Sequence, residues 1–277
     1  MKRTIAGKRV LLTGASSGIG AALAVQLASQ GAGLILLARR KDRLEHVAGQ
    51  IAQQAQSVNK QSVNKLTGNI AAGKIEIIAG DVTDAAVRQR AVQAAQEKLG
   101  GLDFLINNAG AGATALLEKT TQETVRRLFE VNFFSVLELT QLALPLLKEG
   151  SQAMVVNLSS IVGLRGVPHY GAYGAAKFAV AGLSETMRAE FHRYGIDVLT
   201  VCPGTTQTEF FDVLYQASSA PDMPVHKAVT PQYVAERIIR AMESGRHKIV
   251  PYFQAVILDY LNRFAPRFVD WLMTRYV

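Results

Sequence analysis

Residues 10–29 read VLLTGASSGIGAALAVQLAS. Val10-Leu11-Leu12 predicts a short buried strand, Ala21 to Ser29 predicts a helix, and Thr13-Gly14-Ala15-Ser16-Ser17-Gly18-Ile19-Gly20 is a glycine-rich loop between them. Strand, glycine loop and helix in that order form the setting in which a dinucleotide binds. The glycines permit a tight turn and a close backbone approach, and the pyrophosphate rests on the N-terminus of the helix. The spacing here is Gly-x-x-x-Gly-x-Gly rather than Gly-x-Gly-x-x-Gly. Expected cofactor contacts on this turn are Gly14, Ser16, Ser17, Gly18, Ile19 and Gly20.

Outward from this turn the pattern repeats. Leu34-Ile35-Leu36-Leu37, Ile75-Glu76-Ile77-Ile78, Leu102-Asp103-Phe104-Leu105-Ile106, Met154-Val155-Val156-Asn157-Leu158, Asp197 to Val201 and Lys248-Ile249-Val250 read as further strands, with helical stretches between most of them. The alternation predicts an α/β fold, a Rossmann-type doubly wound parallel sheet with helices on both faces. Helices are expected from about Asp84 to Leu99, from Glu123 to Leu147, and from Tyr173 to Tyr194. Thr230-Pro231 marks another helix start, with Thr230 as N-cap.

The strand ends carry the candidate ligands. After the second strand the chain reads Ala38-Arg39-Arg40. An acid at this place would suit a ribose 2′-hydroxyl; two guanidiniums suit a 2′-phosphate, so NADP(H) is the expected cofactor. Asp81, beside Val82, can cap the next helix or reach an adenine amino group. Asn107, Asn108, Ala109 and Gly110 can pin neighbouring loops and approach a ribose. Pro203-Gly204-Thr205-Thr206-Gln207-Thr208 bends the chain after the sixth strand; Pro203, Gly204, Thr206 and Thr208 are further cofactor candidates.

Residues 156–180 read VNLSSIVGLRGVPHYGAYGAAKFAV and suggest chemistry. Tyr173 and Lys177 share a helix face. A phenol has a reference pKa of about 10 and is a poor acid or base until a nearby ammonium favours the phenolate. Lys177 is placed to supply that charge, and Ser160, at the strand end, can steady a substrate oxygen. Asn132, inside Val131-Asn132-Phe133-Phe134, reads as a satisfied core amide. Pro168, His169 and Tyr170 are expected to border the substrate pocket, His169 as a wall residue.

The chain has 277 residues, 49% of them hydrophobic, enough for a full core. Its net charge of +8 is scattered, without zinc-ligand spacing or an RNA-binding aromatic signature, so no nucleic acid is expected. One cysteine, Cys202, excludes an internal disulfide, agrees with a reducing cytoplasm, and follows an apolar run as a buried strand-end residue would. Neither a secretory signal nor a membrane span is expected. Gln56-Ser57-Val58-Asn59-Lys60 is repeated at once as residues 61–65, which a surface loop would tolerate. Residues 205–228 are expected to supply a substrate lid. A domain over 1–250 is followed at 251–277 by an amphipathic helix pair broken near Pro266, with Phe253, Val256, Ile257, Tyr260, Leu261 and Phe264 at helical spacing. It packs on its own domain, on a second subunit, or on a membrane surface.

Residues 7–250 resemble the short-chain dehydrogenase/reductase family. Thr13-Gly14-x-x-x-Gly18-x-Gly20 matches its cofactor loop, Asn107-Asn108-Ala109-Gly110 its structural turn, Asn132, Ser160, Tyr173 and Lys177 its catalytic tetrad, and Pro203-Gly204 its nicotinamide-side loop. The resemblance implies that Tyr173 is the general acid/base and that Ser160 orients the carbonyl. It implies that Lys177 holds the nicotinamide ribose and lowers the tyrosine pKa, and that Asn132 supports a water-mediated proton relay. It further implies a homodimer or homotetramer built through two long helices, and an NADP(H)-dependent oxidoreductase. The tail resembles that of members acting on steroids, retinoids or long acyl chains, placing the activity in lipid metabolism. The alternative is a non-catalytic NADP-binding sensor or a peripheral membrane scaffold on the same fold.

Overall fold

The computed structural model describes residues 3–62, 74–212, 214–217 and 228–276. Seven described strands form one parallel sheet: β1 (Arg9–Thr13), β2 (Gly33–Ala38), β3 (Ile75–Ala79), β4 (Phe104–Asn107), β6 (Met154–Leu158), β7 (Asp197–Val201) and β9 (Lys248–Ile249). Their order is β3-β2-β1-β4-β6-β7-β9. The strands are apolar on both faces because both faces are covered. Val10, Leu12, Leu34, Leu36 and Val156 face α1 (Gly18–Ser29), α2 (Lys41–Ser62) and α7 (Pro231–Glu243); Leu11, Ile35, Leu37, Leu105 and Val155 face α3 (Ala85–Ala94), α5 (Ser135–Lys148) and α6 (Gly171–Phe191). The α/β architecture expected from the alternation is present.

The strand order reverses between β1 and β4. In an open parallel sheet the crevice at the carboxyl ends of these strands is where ligands bind. Two buried amides lie beside that reversal. Asn107 and Asn157 are register partners on β4 and β6. Asn107 Nδ2 donates to Asn157 Oδ1 at 2.8 Å and to Thr140 Oγ1 at 3.2 Å, and Asn157 Nδ2 donates to Ser184 Oγ at 3.0 Å. The pair therefore ties the sheet to α5 and α6.

The structure departs from the expected elements at four places. The helix expected over 123–147 is two helices, α4 (Gln122–Phe129) and α5, joined by a π-helical turn Glu130–Phe134. Asn132 Nδ2 donates to the Leu128 carbonyl at 2.9 Å, a side chain taking up an acceptor inside the ladder. The helix expected over 84–99 likewise ends in a π turn, Ala95–Leu99, and its cap is Asp84, whose Oδ1 accepts from Ala86 N at 2.8 Å. Asp81 Oδ1 instead accepts from Thr83 N at 3.0 Å and Thr83 Oγ1 at 2.9 Å, a local turn. The first pentapeptide copy and the start of the second are helical in α2 rather than a loop, and the rest of the second lies outside the described residues. In the segment expected as a lid, β8 (Leu214–Ala217) pairs in parallel with a short strand β5 (Gly112–Thr114) to make a separate two-stranded sheet; residues 213 and 218–227 lie outside the described ones.

The tail folds as α8 (Phe253–Phe264) and α9 (Pro266–Met273), broken at Ala265-Pro266. Proline at the first position of a helix suits it, because its missing N–H has no intrahelical acceptor. Val269 and Met273 are buried, Arg165 donates to Asn262 Oδ1 at 3.0 Å and pairs with Asp270, and Lys248 pairs with Asp259 at 3.1 Å. One side of the tail thus packs on the chain's own body. Phe253, Tyr260, Phe264, Phe268 and Trp271 are exposed on its other side. Among the described residues, no helix is long and apolar enough to cross a membrane.

Candidate active site

The glycine turn after β1 is held open by the asparagine turn after β4. Asn108 Nδ2 donates to the carbonyls of Thr13 at 2.9 Å and Gly14 at 3.1 Å, and Thr13 Oγ1 accepts from Asn108 N at 3.0 Å and Ala109 N at 2.9 Å. Gly14 has φ +66°, and a Cβ there would lie 2.7 Å from Asn108 Nδ2; a Cβ on Gly20 would overlap the Gly14 carbonyl oxygen. Bare backbone is therefore obligatory at this crossing. Helix α1 starts with no side-chain cap bond at Ser17 and no acidic residue in its first turn. Its leading N–H groups and positive end face the crevice.

The chemistry-bearing side chains gather at the end of β6 and the start of α6. Ser160 N-caps a short turn, its Oγ accepting from Val162 N at 3.4 Å, and its hydroxyl lies close enough to the Tyr173 phenol to influence its ionisation. Tyr173 is 9% exposed and Lys177 3%. Lys177 Nζ donates to the Leu158 carbonyl at 2.9 Å and stands 5.8 Å from the centre of the Tyr173 ring. Burial lifts the Tyr173 phenol above its ordinary range, the Ser160 hydrogen bond opposing it. Burial lowers Lys177 to about 8. The expected depression of the tyrosine by the lysine is thus not what the protein's own groups produce. The ammonium is aimed at a backbone carbonyl, and burial is the largest influence on the phenol.

Asn132 lies behind these groups, fully buried. Its Nδ2 donates to Ala111 O and Leu128 O at 2.9 Å each, and its Oδ1 accepts from Ala111 N at 3.3 Å. It behaves as the satisfied core amide that its setting predicted, pinning the start of β5. A Cβ on Gly110 would come within 3.0 Å of Asn132 Oδ1 and 3.5 Å of Lys177 Nζ, so both polar ends converge on that glycine.

One cavity of about 1040 Å³ connects these parts. It takes in Gly14, Ser16, Ser17, Gly18, Ile19 and Gly20 of the first turn, Arg39 and Arg40 after β2, and Asp81 and Val82 after β3. Asn108, Ala109 and Gly110, then Ser160, Tyr173 and Lys177, and then Pro203, Gly204, Thr206 and Thr208 complete that half. Asn132 supports the wall from behind. Of the three residues expected to border the substrate end, only Tyr170 reaches the cavity among the described residues. His169, at φ +66°, keeps both ring nitrogens buried without a partner among the described residues, and Pro168 precedes it outside the lining.

The sequence pointed to Pro168, His169 and Tyr170 and to a lid over residues 205–228 for the substrate end, and much of the far wall escaped it. Tyr252, Ile257, Leu258, Leu261, Leu272 and Met273 line the cavity, and the Tyr252 ring sits 3.2 Å from where a Cβ on Gly204 would be. The tail's apolar stripe was legible; which flank of it faced inward was not. Phe210 and Tyr215 also join the wall, with the Phe210 ring centred 5.6 Å from that of Tyr173. Cys202 is fully buried and its thiol is pushed up to about 12 by burial, so it takes no part as a nucleophile. Among the described residues no His, Cys, Asp and Glu cluster suits a metal.

The chain is similar to known proteins along most of its length. The human dehydrogenase/reductase SDR family member 7 is 29% identical over 96% of this chain and 76% of its own length. A 3-ketodihydrosphingosine reductase of Bacteroides thetaiotaomicron is 34% identical over 73% of this chain and 65% of its own, and a ketoacyl reductase of a Nostoc species 30% over 89% and 79%. The solved structure of an alcohol dehydrogenase from the archaeon Thermococcus sibiricus, complexed with 5-hydroxy-NADP, superposes with a TM-score of 0.73 at 26% identity, covering 88% of this chain and 95% of that one. The family model described as short chain dehydrogenase matches residues 8–64 and 56–218, two stretches that overlap across the tandem pentapeptide. With the glycine turn, six of the seven strands of the parallel sheet and the Ser160–Tyr173–Lys177 group inside the matched region, the chain belongs to the short-chain dehydrogenase/reductase family of oxidoreductases.

Proposed function

We propose that this protein is an NADP(H)-dependent oxidoreductase that interconverts a carbonyl and an alcohol on a lipophilic substrate. The observation that carries the reading is the single cavity running from the glycine turn, past Tyr173, to an apolar wall built by the tail. A nicotinamide dinucleotide fits the residues present. The uncapped start of α1 suits pyrophosphate, Asp81 and Val82 suit the adenine side, and Arg39 and Arg40 suit a 2′-phosphate. Asn108, Ala109, Gly110, Pro203, Gly204, Thr206 and Thr208 border the nicotinamide half. When bound, the cofactor supplies or takes the hydride.

The chain's own groups manage the proton. Burial keeps the Tyr173 phenol protonated, which suits it to donate to a carbonyl oxygen in the reductive direction. Ser160, beside that phenol, holds the substrate oxygen next to it. The Lys177 charge then favours the phenolate left behind, and the ammonium is held at its post by the Leu158 carbonyl. Asn132 is a positioning residue that keeps Ala111 and the π turn in place. The apolar wall from Ile257 to Met273 selects for hydrocarbon, since each methylene moved from water into it gains about 0.8 kcal/mol. The names of the bacterial ketodihydrosphingosine and ketoacyl reductases agree with a keto-lipid class.

NADPH oxidation against aldehydes and 3-keto compounds of rising chain length tests the reading. A steep rise in kcat/KM with length is expected. A flat profile favouring small polar carbonyls rejects the lipophilic assignment, and tight NADPH binding without turnover on any of them favours the sensor. A second reading, attachment to a membrane surface, is favoured by a separate observation: Phe253 and Phe264 are 77% and 83% exposed on the tail's outer side. It is compatible with catalysis on a lipid.

A further inference from the structure

Glu209 carries a negative charge into the corner of the cavity where the arginines after β2 stand. Its Oε2 accepts from Arg40 Nη1 at 2.9 Å, and its Oε1 lies 3.5 Å from Arg43 Nη2. Arg40 Nη2 donates to Ser17 Oγ at 2.9 Å, so a single guanidinium joins the start of α1 to the segment that follows β7. Arg40, through its hydrogen bond, and Arg43, through its charge, hold the carboxyl below the ordinary carboxylate range, so it is ionised at neutral pH. An anion shared by two guanidiniums beside a serine hydroxyl is the arrangement that a phosphate monoester would make here. The next residue is Phe210, which faces the Tyr173 ring and sits against Gly112 at the start of β5.

We propose that Glu209 is an internal stand-in for the cofactor's 2′-phosphate, so that a 2′-phosphorylated cofactor displaces it from Arg40 and thereby frees the segment that holds Phe210 over the catalytic tyrosine. The proposal rests on the NADP(H) reading above. Its physics is a competition of anions. The side chains of Arg40 and Glu209 are 41% and 42% exposed, and pairs so exposed are weak. A phosphate dianion offers more charge and more acceptors to the same fork, and its own charge repels the carboxylate once it arrives. A cofactor with a free 2′-hydroxyl brings no such charge and leaves the ion pair in place. Glu209 therefore lowers affinity for the phosphorylated cofactor alone, and the position of Phe210 follows which cofactor is bound. Exchange of one partner for another at Arg40 would admit substrate after cofactor rather than before it.

The test uses the full chain and its Glu209→Gln variant, which keeps the shape of a half-exposed side chain and removes its charge. Dissociation constants for NADPH and NADH come from fluorescence titration, and amide hydrogen exchange of residues 206–212 is followed with each cofactor. The variant is expected to bind NADPH roughly fivefold tighter, as loss of a weak competing ion pair allows, with NADH changed less than about twofold. The gain shrinks at high salt. In the unsubstituted chain NADPH, but not NADH, speeds exchange in 206–212; in the variant that exchange is fast before any cofactor is added. If the unsubstituted chain prefers NADPH and the substitution leaves both affinities and the exchange unchanged, the stand-in role is wrong and the cofactor reading survives. If the unsubstituted chain prefers NADH yet the variant gains NADPH affinity, the competition stands and the cofactor reading fails. A preference for NADH with no gain in the variant rejects both.

Discussion

At the scale of single residues, two ionisable groups set the expected behaviour. Tyr173→Phe removes only the phenolic oxygen from a buried position, so turnover should fall to background while NADPH binding stays within about twofold; near-normal kcat in the purified variant would overturn the assigned role. Lys177 carries a pH consequence. Its folded value of about 8 lies below the ordinary 10.5 because burial disfavours the ammonium. Between those values the unfolded chain binds the extra proton, so the burial penalty on stability is full below pH 8 and relieved as pH rises toward 10.5. On the proposed mechanism activity runs the other way: the ammonium charge proposed to favour the phenolate is lost above about 8. The pH profile of kcat for carbonyl reduction should therefore show an alkaline limb near that value, and Lys177→Arg should move it out of reach at whatever rate it retains. The Tyr-x-x-x-Lys spacing made this pair legible in the sequence. The balance of forces on the phenol was not legible, because burial is a property of what α8, α9 and Phe210 place around it. Arg39→Ala with Arg40→Ala should weaken NADPH more than NADH in steady-state kinetics; an unchanged ratio would remove the arginines from cofactor choice.

At the scale of elements, the sheet was written plainly in the chain. Fully buried parallel strands are continuous apolar runs, and each one expected is found within a residue or two of its place. What escaped was whatever depends on a distant partner. β5 is three residues long and gains strand character only from β8, about a hundred residues on. The π turn at Glu130–Phe134 carries Asn132, whose Nδ2 reaches the Ala111 carbonyl on a separate segment, and nothing in Val131-Asn132-Phe133 announces it. The glycine turn allows a direct test. Gly14→Ala forces a left-handed φ of +66° on a residue with a Cβ and drives that carbon against Asn108. A stability loss of about 2 kcal/mol is expected in denaturant titration, together with weakened cofactor binding. A variant as stable as its parent would mean that the turn relaxes.

For the molecule as a whole, the tail has two apolar sides, and only one is used by the described chain. Its inner side closes the cavity. Its outer side displays Phe253, Tyr260, Phe264, Phe268 and Trp271 beside Arg263, Arg267 and Arg275, the Arg275 guanidinium standing 4.0 Å over the Trp271 ring. Aromatic rings among arginines suit an anionic lipid–water interface, and the chain's net charge of +8 has the matching sign. Flotation with vesicles containing anionic lipid should carry the full chain but not one lacking residues 252–277, and Phe264→Ser with Trp271→Ser should come away while still binding NADPH. Equal flotation of all forms would reject the tail as the point of contact. The sequence showed a stripe of apolar residues at helical spacing. It could not show that the stripe was wider than the face that packs on the domain, because width is judged only against the surface it covers.

The Asn107–Asn157 pair has a consequence for how the sheet reaches its proper alignment. Apolar parallel strands are poor at telling one register from the next, since valine beside isoleucine is much like valine beside leucine. The two amides differ from their neighbours in this respect. Only one offset of β6 along β4 brings Asn157 Oδ1 to Asn107 Nδ2 and sets the other amide ends against Thr140 and Ser184. Every slipped pairing strands two polar groups in hydrocarbon, at about 1–3 kcal/mol for each amide left without a partner. The pair thus works as a ruler during assembly, rejecting mis-stepped sheets that hydrophobicity alone would accept.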